Sequence, residues 1–145
     1  MSQYFDLGGQ TLWNPSNGAA RLFLRQVSVF EAELALASGI GPMHNDECQI
    51  DPAALKTFVD ALVERHLRTG HAVMIALSEA FLATMLVLAE RAGIELGRPA
   101  DDAAAYAQNR DVQVPGAGVD ALTNAHARLD QLHGAARELS RFMAR

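Results

Sequence analysis

The sequence predicts a mainly all-α fold, a helical bundle with a long central helix and a small N-terminal β-hairpin. Three observations lead there. His71–Ala92 is almost wholly apolar, with Glu79 as the one charge before Glu90. Val119–Arg145 repeats apolar residues at alternating steps of three and four, the 3.5-residue period of a packed helical seam. Residues 3–13 hold two short extended runs around Gly8-Gly9, a hairpin signal.

The totals bound the class. A chain of 145 residues reads as a single domain, able to bury about two thirds of its unfolded surface. It is 50% hydrophobic, which excludes disorder throughout. A net charge of −5 with no basic stripe argues against nucleic acid as a partner. The single cysteine, Cys48, rules out a disulfide framework and suits a reducing, cytoplasmic setting. The opening MSQYFDLGG has no basic segment followed by an apolar run, so no signal peptide is expected.

In chain order, residues 1–13 form the hairpin. A lone hairpin is marginal in water, so Tyr4, Phe5 and Trp13 are expected to rest on the helices. Asn14, Ser16 and Asn17 are all eligible N-caps for a helix over 16–38. Its buried stripe is Ala20, Phe23, Val27, Phe30 and Leu34, and Ser38-Gly39 stops it. Arg21 and Arg25 sit early and Glu31 and Glu33 late, the reverse of what the helix dipole favours. Tertiary contacts should therefore satisfy these charges.

Residues 39–50 read as a loop, since Gly39, Gly41 and Pro42 oppose helix. Asp51 and Pro52 are a strong start signal for the next helix. From there the apolar stripe Leu55, Val59, Leu62, His66, Met74, Leu77, Phe81, Met85, Leu88 keeps its phase across Thr69-Gly70. That favours one long helix over 52–92, straight or kinked at Gly70, and ~60 Å long if unbroken. Such a rod exceeds a compact domain of this size, and a second copy covering the overhang makes a homodimer the expected state.

Within the apolar segment, Met74, Leu77, Phe81, Met85 and Leu88 share one face and Ala72, Ala76, Ala80, Ala83 and Val87 the opposite one. A helix apolar on both sides is expected to be walled in by protein on both. A bilayer span needs ~20 apolar residues, and a charge at its centre costs at least ~2.5 kcal/mol. With Glu79 inside and arginines at both ends, a soluble core helix is the reading, with no membrane partner. Residues 94–118 read as a linker holding a short helix at Asp101–Gln108, and 119–145 as the C-terminal helix. Its seam is Leu122, Ala125, Leu129, Leu132, Ala136, Leu139 and Met143.

Few side chains point to chemistry. Glu79, His66 and His71 are the catalytic candidates, because a carboxylate or imidazole on an apolar face titrates away from its usual range. The plainer alternative is a buried pair of Glu79 with Arg21, Arg25 or a histidine, and hydrogen-bonded core histidines. His126, Asp130 and His133 fall at i, i+4, i+7 and are weak metal candidates, with no companion ligands in a second motif. His44, Asp46, Glu47 and Cys48 are ligand types without a metal or nucleophile frame, and acidic neighbours mark Cys48 as structural. No phosphate loop, dinucleotide fingerprint, nucleophile elbow or zinc motif occurs, so no cofactor is expected.

The stretches QYFDLGGQTLWNPSNGAARLFLRQV, GIGPMHNDECQID and ALSEAFLATMLVLAERAG together resemble a family of small actinobacterial proteins, domain of unknown function 6086. The resemblance covers about the first two thirds of the chain and leaves the last helix outside. It implies an actinomycete source and a cytoplasmic protein, and transfers no catalytic residue.

The favoured functional reading is a non-enzymatic interaction, regulatory or immunity-type module. Seven acids from Glu31 to Glu64 stand against Lys56 and would meet a basic protein partner, with Glu31, Glu33, Asp46, Glu47 and Trp13 as its surface. Two alternatives stand beside it. One is a small enzyme or ligand-binding protein of specialised metabolism, with an apolar inter-helix pocket around Glu79 and His66. The other is a metal-binding helical bundle.

Overall fold

The computed structural model describes residues 2–98 and 121–145, with side chains of the last helix from residue 124 onward. The linker expected over 94–118, from residue 99 on, lies outside the described residues, as do its short helix and the first residues of the helix expected from 119. The order is β1 (Tyr4–Leu7), β2 (Gln10–Trp13), α1 (Asn17–Leu34), β3 (Glu47–Gln49), α2 (Pro52–Arg68), α3 (Ala72–Arg91) and α4 (Ala121–Ser140). Mostly helical with a small N-terminal hairpin, the fold agrees with the sequence at that level.

The hairpin turns on Gly8 and Gly9 at φ +55° and +89°, the double positive-φ turn that matches strand twist. Its sheet gains a third strand: β3 pairs parallel to β1, giving the order β2-β1-β3. β3 occupies what reads in sequence as loop. Three residues, Glu47, Cys48 and Gln49, are too few to show an alternating pattern. Phe5 stacks on Trp13 at 5.3 Å, and Phe23 meets both edge-on at 5.5 and 5.2 Å. Phe81 of α3 then stacks flat on Phe30 at 4.4 Å. One aromatic chain thus joins sheet, α1 and α3, each pair worth about 0.5–1.5 kcal/mol beyond area burial.

Ser16 caps α1, its hydroxyl accepting from the Ala19 N–H at 3.5 Å. The helix stops at Leu34, earlier than expected, with Ala35 in the left-handed region. Glu31 explains the early stop. Its Oε1 accepts from the Ser38 N–H at 2.8 Å and the Ser38 hydroxyl at 2.6 Å, folding the following segment back on the helix end. Gly39, at φ +77°, then passes so close to α2 that a Cβ would lie 2.5 Å from the Asp51 carbonyl.

The expected long helix over 52–92 is instead two helices. Asp51 caps α2 from Oδ1 to the N–H groups of Ala53 and Ala54 at 2.9 and 3.2 Å, as its sequence signals. Thr69 and His71 are extended, with ψ of 135° and 109°, and between them the chain reverses. Thr69 Oγ1 accepts from the His71 N–H at 3.2 Å, and His71 Nδ1 caps α3 at the Met74 N–H, 3.4 Å. The unbroken phase of the apolar stripe misleads for a geometric reason. A three-residue connection is nearly one 3.6-residue turn, so the stripe stays in register whether the helix continues or folds back. The overhang that called for a second copy is therefore absent.

α3 packs against α2 and α4. The seam of α4 is met within this chain: Ala125, Leu132 and Ala136 are buried, as is Met143 just beyond the helix. Burial of α3 is uneven. Phe81, Leu82, Ala83 and the run Met85–Ala89 are buried, whereas Ala72, Val73, Ala76, Leu77 and Ala80 are exposed. Enclosure on every side, expected for the whole segment, holds only for its C-terminal half. By length and composition α3 could cross a bilayer, and 44% of its most apolar window is buried inside the chain.

Candidate functional site

His66 sits at the junction of α2, α3 and α4 and is 4% exposed. Its Nδ1 lies 3.2 Å from the Ser78 hydroxyl, which donates to the Met74 carbonyl at 2.7 Å. With that proton committed to the backbone, Nδ1–H is the donor and Ser78 the acceptor. Burial, and then the nearby Arg128 guanidinium, lower the His66 pKa from 6.5 to about 4. Serine and imidazole at this spacing are the parts of a nucleophile and base, but here the bond runs the wrong way for a base, which must face the hydroxyl with its lone pair. The pair joins two helices.

Arg128 of α4 is the group that sequence reasoning missed. Its guanidinium donates to the carbonyls of Leu67 at 2.7 Å, His66 at 3.3 Å and Thr69, closing the C-terminal end of α2 with a cation where the dipole favours one. Burial pushes its pKa down from the usual arginine range. Arg91 does similar work, donating to the carbonyls of Leu12 at 2.7 Å, Met143 at 2.8 Å and Ser140 at 3.0 Å. The available signal for Arg128 was its place beside the seam residue Leu129, where a surface arginine would be less expected.

The remaining candidates scatter. Glu79 is half-buried and accepts from the Gln131 amide at 3.1 Å, so neither the buried ion pair nor the enclosed acid is found. His71 is the α3 cap. Trp13 belongs to the core rather than to a partner surface. Glu31 is spent on Ser38, and Glu33 pairs with Arg65 at 2.9 Å. Asp60 and Glu64 pair with Lys56 and Arg68. Of the acids from Glu31 to Glu64, Asp46 and Glu47 are the two left mainly to solvent, with Asp46 touched by the Gln3 amide at 3.5 Å. Cys48 is buried, its thiol donating to the Gly41 carbonyl at 3.0 Å, and burial pushes its pKa up to about 11. Among the described residues no group of three or more His, Cys, Asp or Glu is placed to hold a metal, and His126, Asp130 and His133 are exposed on α4.

Two surface features stand out on and around α3. The first is the open half of α3, where Val73 is 57% and Leu77 70% exposed, with Ala76 and Ala80 between and beyond them. These fall at i, i+3, i+4 and i+7, a continuous stripe about two turns long. The second is a half-open cleft of 760 Å³ between α2, α3, the segment after α3 and α4. Val63, Leu86, Ile94, Leu96, Leu129 and Ala136 give it apolar walls. Glu90, Glu95, Arg98, His133 and Arg137 supply the charge, and none of these five has an ion-pair partner among the described residues. Neither Glu79 nor His66 lines this cleft, which lies toward the C-terminal end of α3 and is not the pocket expected around those two residues.

Over residues 1–145 the chain matches the model of a family of unknown function, DUF6086. The match extends through the C-terminal helix, beyond the two thirds suggested by the sequence motifs. No curated protein and no solved structure matches.

Proposed function

The chain belongs to the DUF6086 family of unknown function, and we propose that it works as a non-enzymatic protein-interaction module whose contact element is the first half of α3. The observation that carries this reading is the exposure of Val73 and Leu77, 57% and 70%, on the most apolar helix among the described residues. Burying two such side chains is worth on the order of 1.5–3 kcal/mol each. The alanines between them let a partner backbone come close. The partner's contacting surface is apolar and uncharged at its centre, because no cation on the stripe would compensate a buried carboxylate and no anion a buried amine. A regulatory or immunity-type role needs no more than such a surface. A cytoplasmic setting accords with the reduced, buried Cys48.

The test places a photo-crosslinking residue at position 77 and, as control, at Glu64 on the exposed face of α2. In the native host, position 77 gives a discrete protein adduct that Val73→Asp abolishes while the fold, read by circular dichroism, is kept. Adducts equal at both positions, or none at 77, refute the reading.

The cleft favours a second reading, a carrier or small enzyme for an amphipathic anion. Its apolar walls would take the body of the molecule and Arg98, His133 or Arg137 its carboxylate or phosphate. Native mass spectrometry on protein purified from the host should then show a retained small molecule that Leu129→Trp, which fills the cleft, removes.

A further inference from the structure

The outward face of α1 is as unusual as that of α3, and its chemistry says what covers it. Leu22 is 62% and Val29 59% exposed, and Arg25, Ala32 and Glu33 are exposed on the same side of the helix. At 100° per residue, Arg25 and Glu33 flank Val29 symmetrically, each four residues and about 6 Å away along the axis. The charge order of α1 runs against its dipole, with Arg21 and Arg25 in the first half and Glu31 and Glu33 toward the end. Two of those four charges are answered within the chain, Glu31 by Ser38 and Glu33 by Arg65. Arg21 and Arg25 form no ion pair among the described residues.

We infer that this face pairs with its own copy, α1 against α1 antiparallel about a two-fold axis at Val29. Antiparallel pairing about that point sets Val29 against Val29 and Arg25 of each copy against Glu33 of the other, twice over. Leu22 then lies against the partner's helix end, where Leu36 is 36% exposed. Glu33 binds Arg65 through Oε2, which leaves Oε1 free for a second guanidinium. The same pairing answers the dipole, because each basic helix start meets an acidic helix end. A C2 contact of this kind is self-complementary by construction. One helix face is smaller than the ~800 Å² per partner of a standard interface, so the dimer is weak and loosens with salt. The inference goes beyond the proposed role of α3, whose stripe takes no part in it.

Sedimentation equilibrium of the full chain tests this with Arg25→Glu and Glu33→Arg. The wild type is expected to dimerise reversibly, and each reversal alone to weaken the dimer about tenfold or more by setting like charges together twice. An equimolar mixture of the two variants is expected to regain a heterodimer near wild-type strength. In that heterodimer the acidic pair of positions on one chain faces the basic pair on the other, so opposite charges meet at both contacts. The recovery also separates interface from folding, because a chain damaged by losing the Arg65 contact could not recover on mixing. A wild type that stays monomeric at hundreds of micromolar overturns the inference. So does a dimer that each single reversal leaves as strong as the wild type, or one that only Leu77→Asp dissolves.

Discussion

His66 offers the sharpest check on how the helices are joined. Its pKa is about 4 in the folded chain against 6.5 unperturbed. Between those values the unfolded chain binds more protons than the folded one. Stability is therefore complete above pH 6.5 and is lost as pH falls toward 4. From pH 7 to pH 5 the loss works out to about 2 kcal/mol, a large share of the roughly 5–15 kcal/mol of an ordinary domain. The control must remove the imidazole alone. His66→Gln keeps an amide donor for Ser78 and does not titrate. Urea unfolding of both proteins at pH 7 and pH 5 gives the comparison. Wild type should lose about 2 kcal/mol more than the variant across that interval. Equal losses would refute the account of a buried, neutral His66 held beside Arg128.

Two further substitutions probe the packing of the ends. Arg128→Met should lower stability by about 3 kcal/mol, seen as a fall in Tm of about 10 °C, because three carbonyls at the end of α2 lose their donor. Arg128→Lys should recover only part, since an ammonium lacks the planar fork. Gly39→Ala meets both a φ of +77° and backbone atoms of Asp51 and Leu55 at 2.5 and 2.7 Å, so a urea titration should show a loss of at least about 2 kcal/mol.

What the sequence disclosed follows what repeats or what is chemically singular. Gly8-Gly9, Asp51-Pro52 and the seam of α4 each carry a local signal, and each structure is where that signal puts it. The seam's partner proved to lie in the same chain, which periodicity alone does not specify. The break between α2 and α3 was hidden because Thr69-Gly70-His71 has nearly the length of one helical turn, so no phase change marks the reversal. β3 was hidden because its pairing with β1 is non-local and only three residues long. Among site candidates, His66 was legible as a core histidine from its place on the stripe. Glu79 was not legible as half-exposed, because its surroundings depend on the open half of α3. Arg91 and Arg128 bind backbone carbonyls, and carbonyls leave no trace in side-chain patterns.

Those two arginines also decide which surfaces are fixed. Arg128 holds the first half of α4 to three carbonyls at the end of α2, and Arg91 holds its far end through the carbonyls of Ser140 and Met143. Lifting α4 away would strip five carbonyls of guanidinium partners. The wall that α4 gives the cleft is accordingly held in place. Among the described residues, no such clamp crosses the outer side of the first half of α3. Val73 and Leu77 on α3, like Leu22 and Val29 on α1, are exposed. Binding at either helix face should therefore leave the cleft's geometry unchanged, so occupancy of the cleft and association through the helices are expected to be independent.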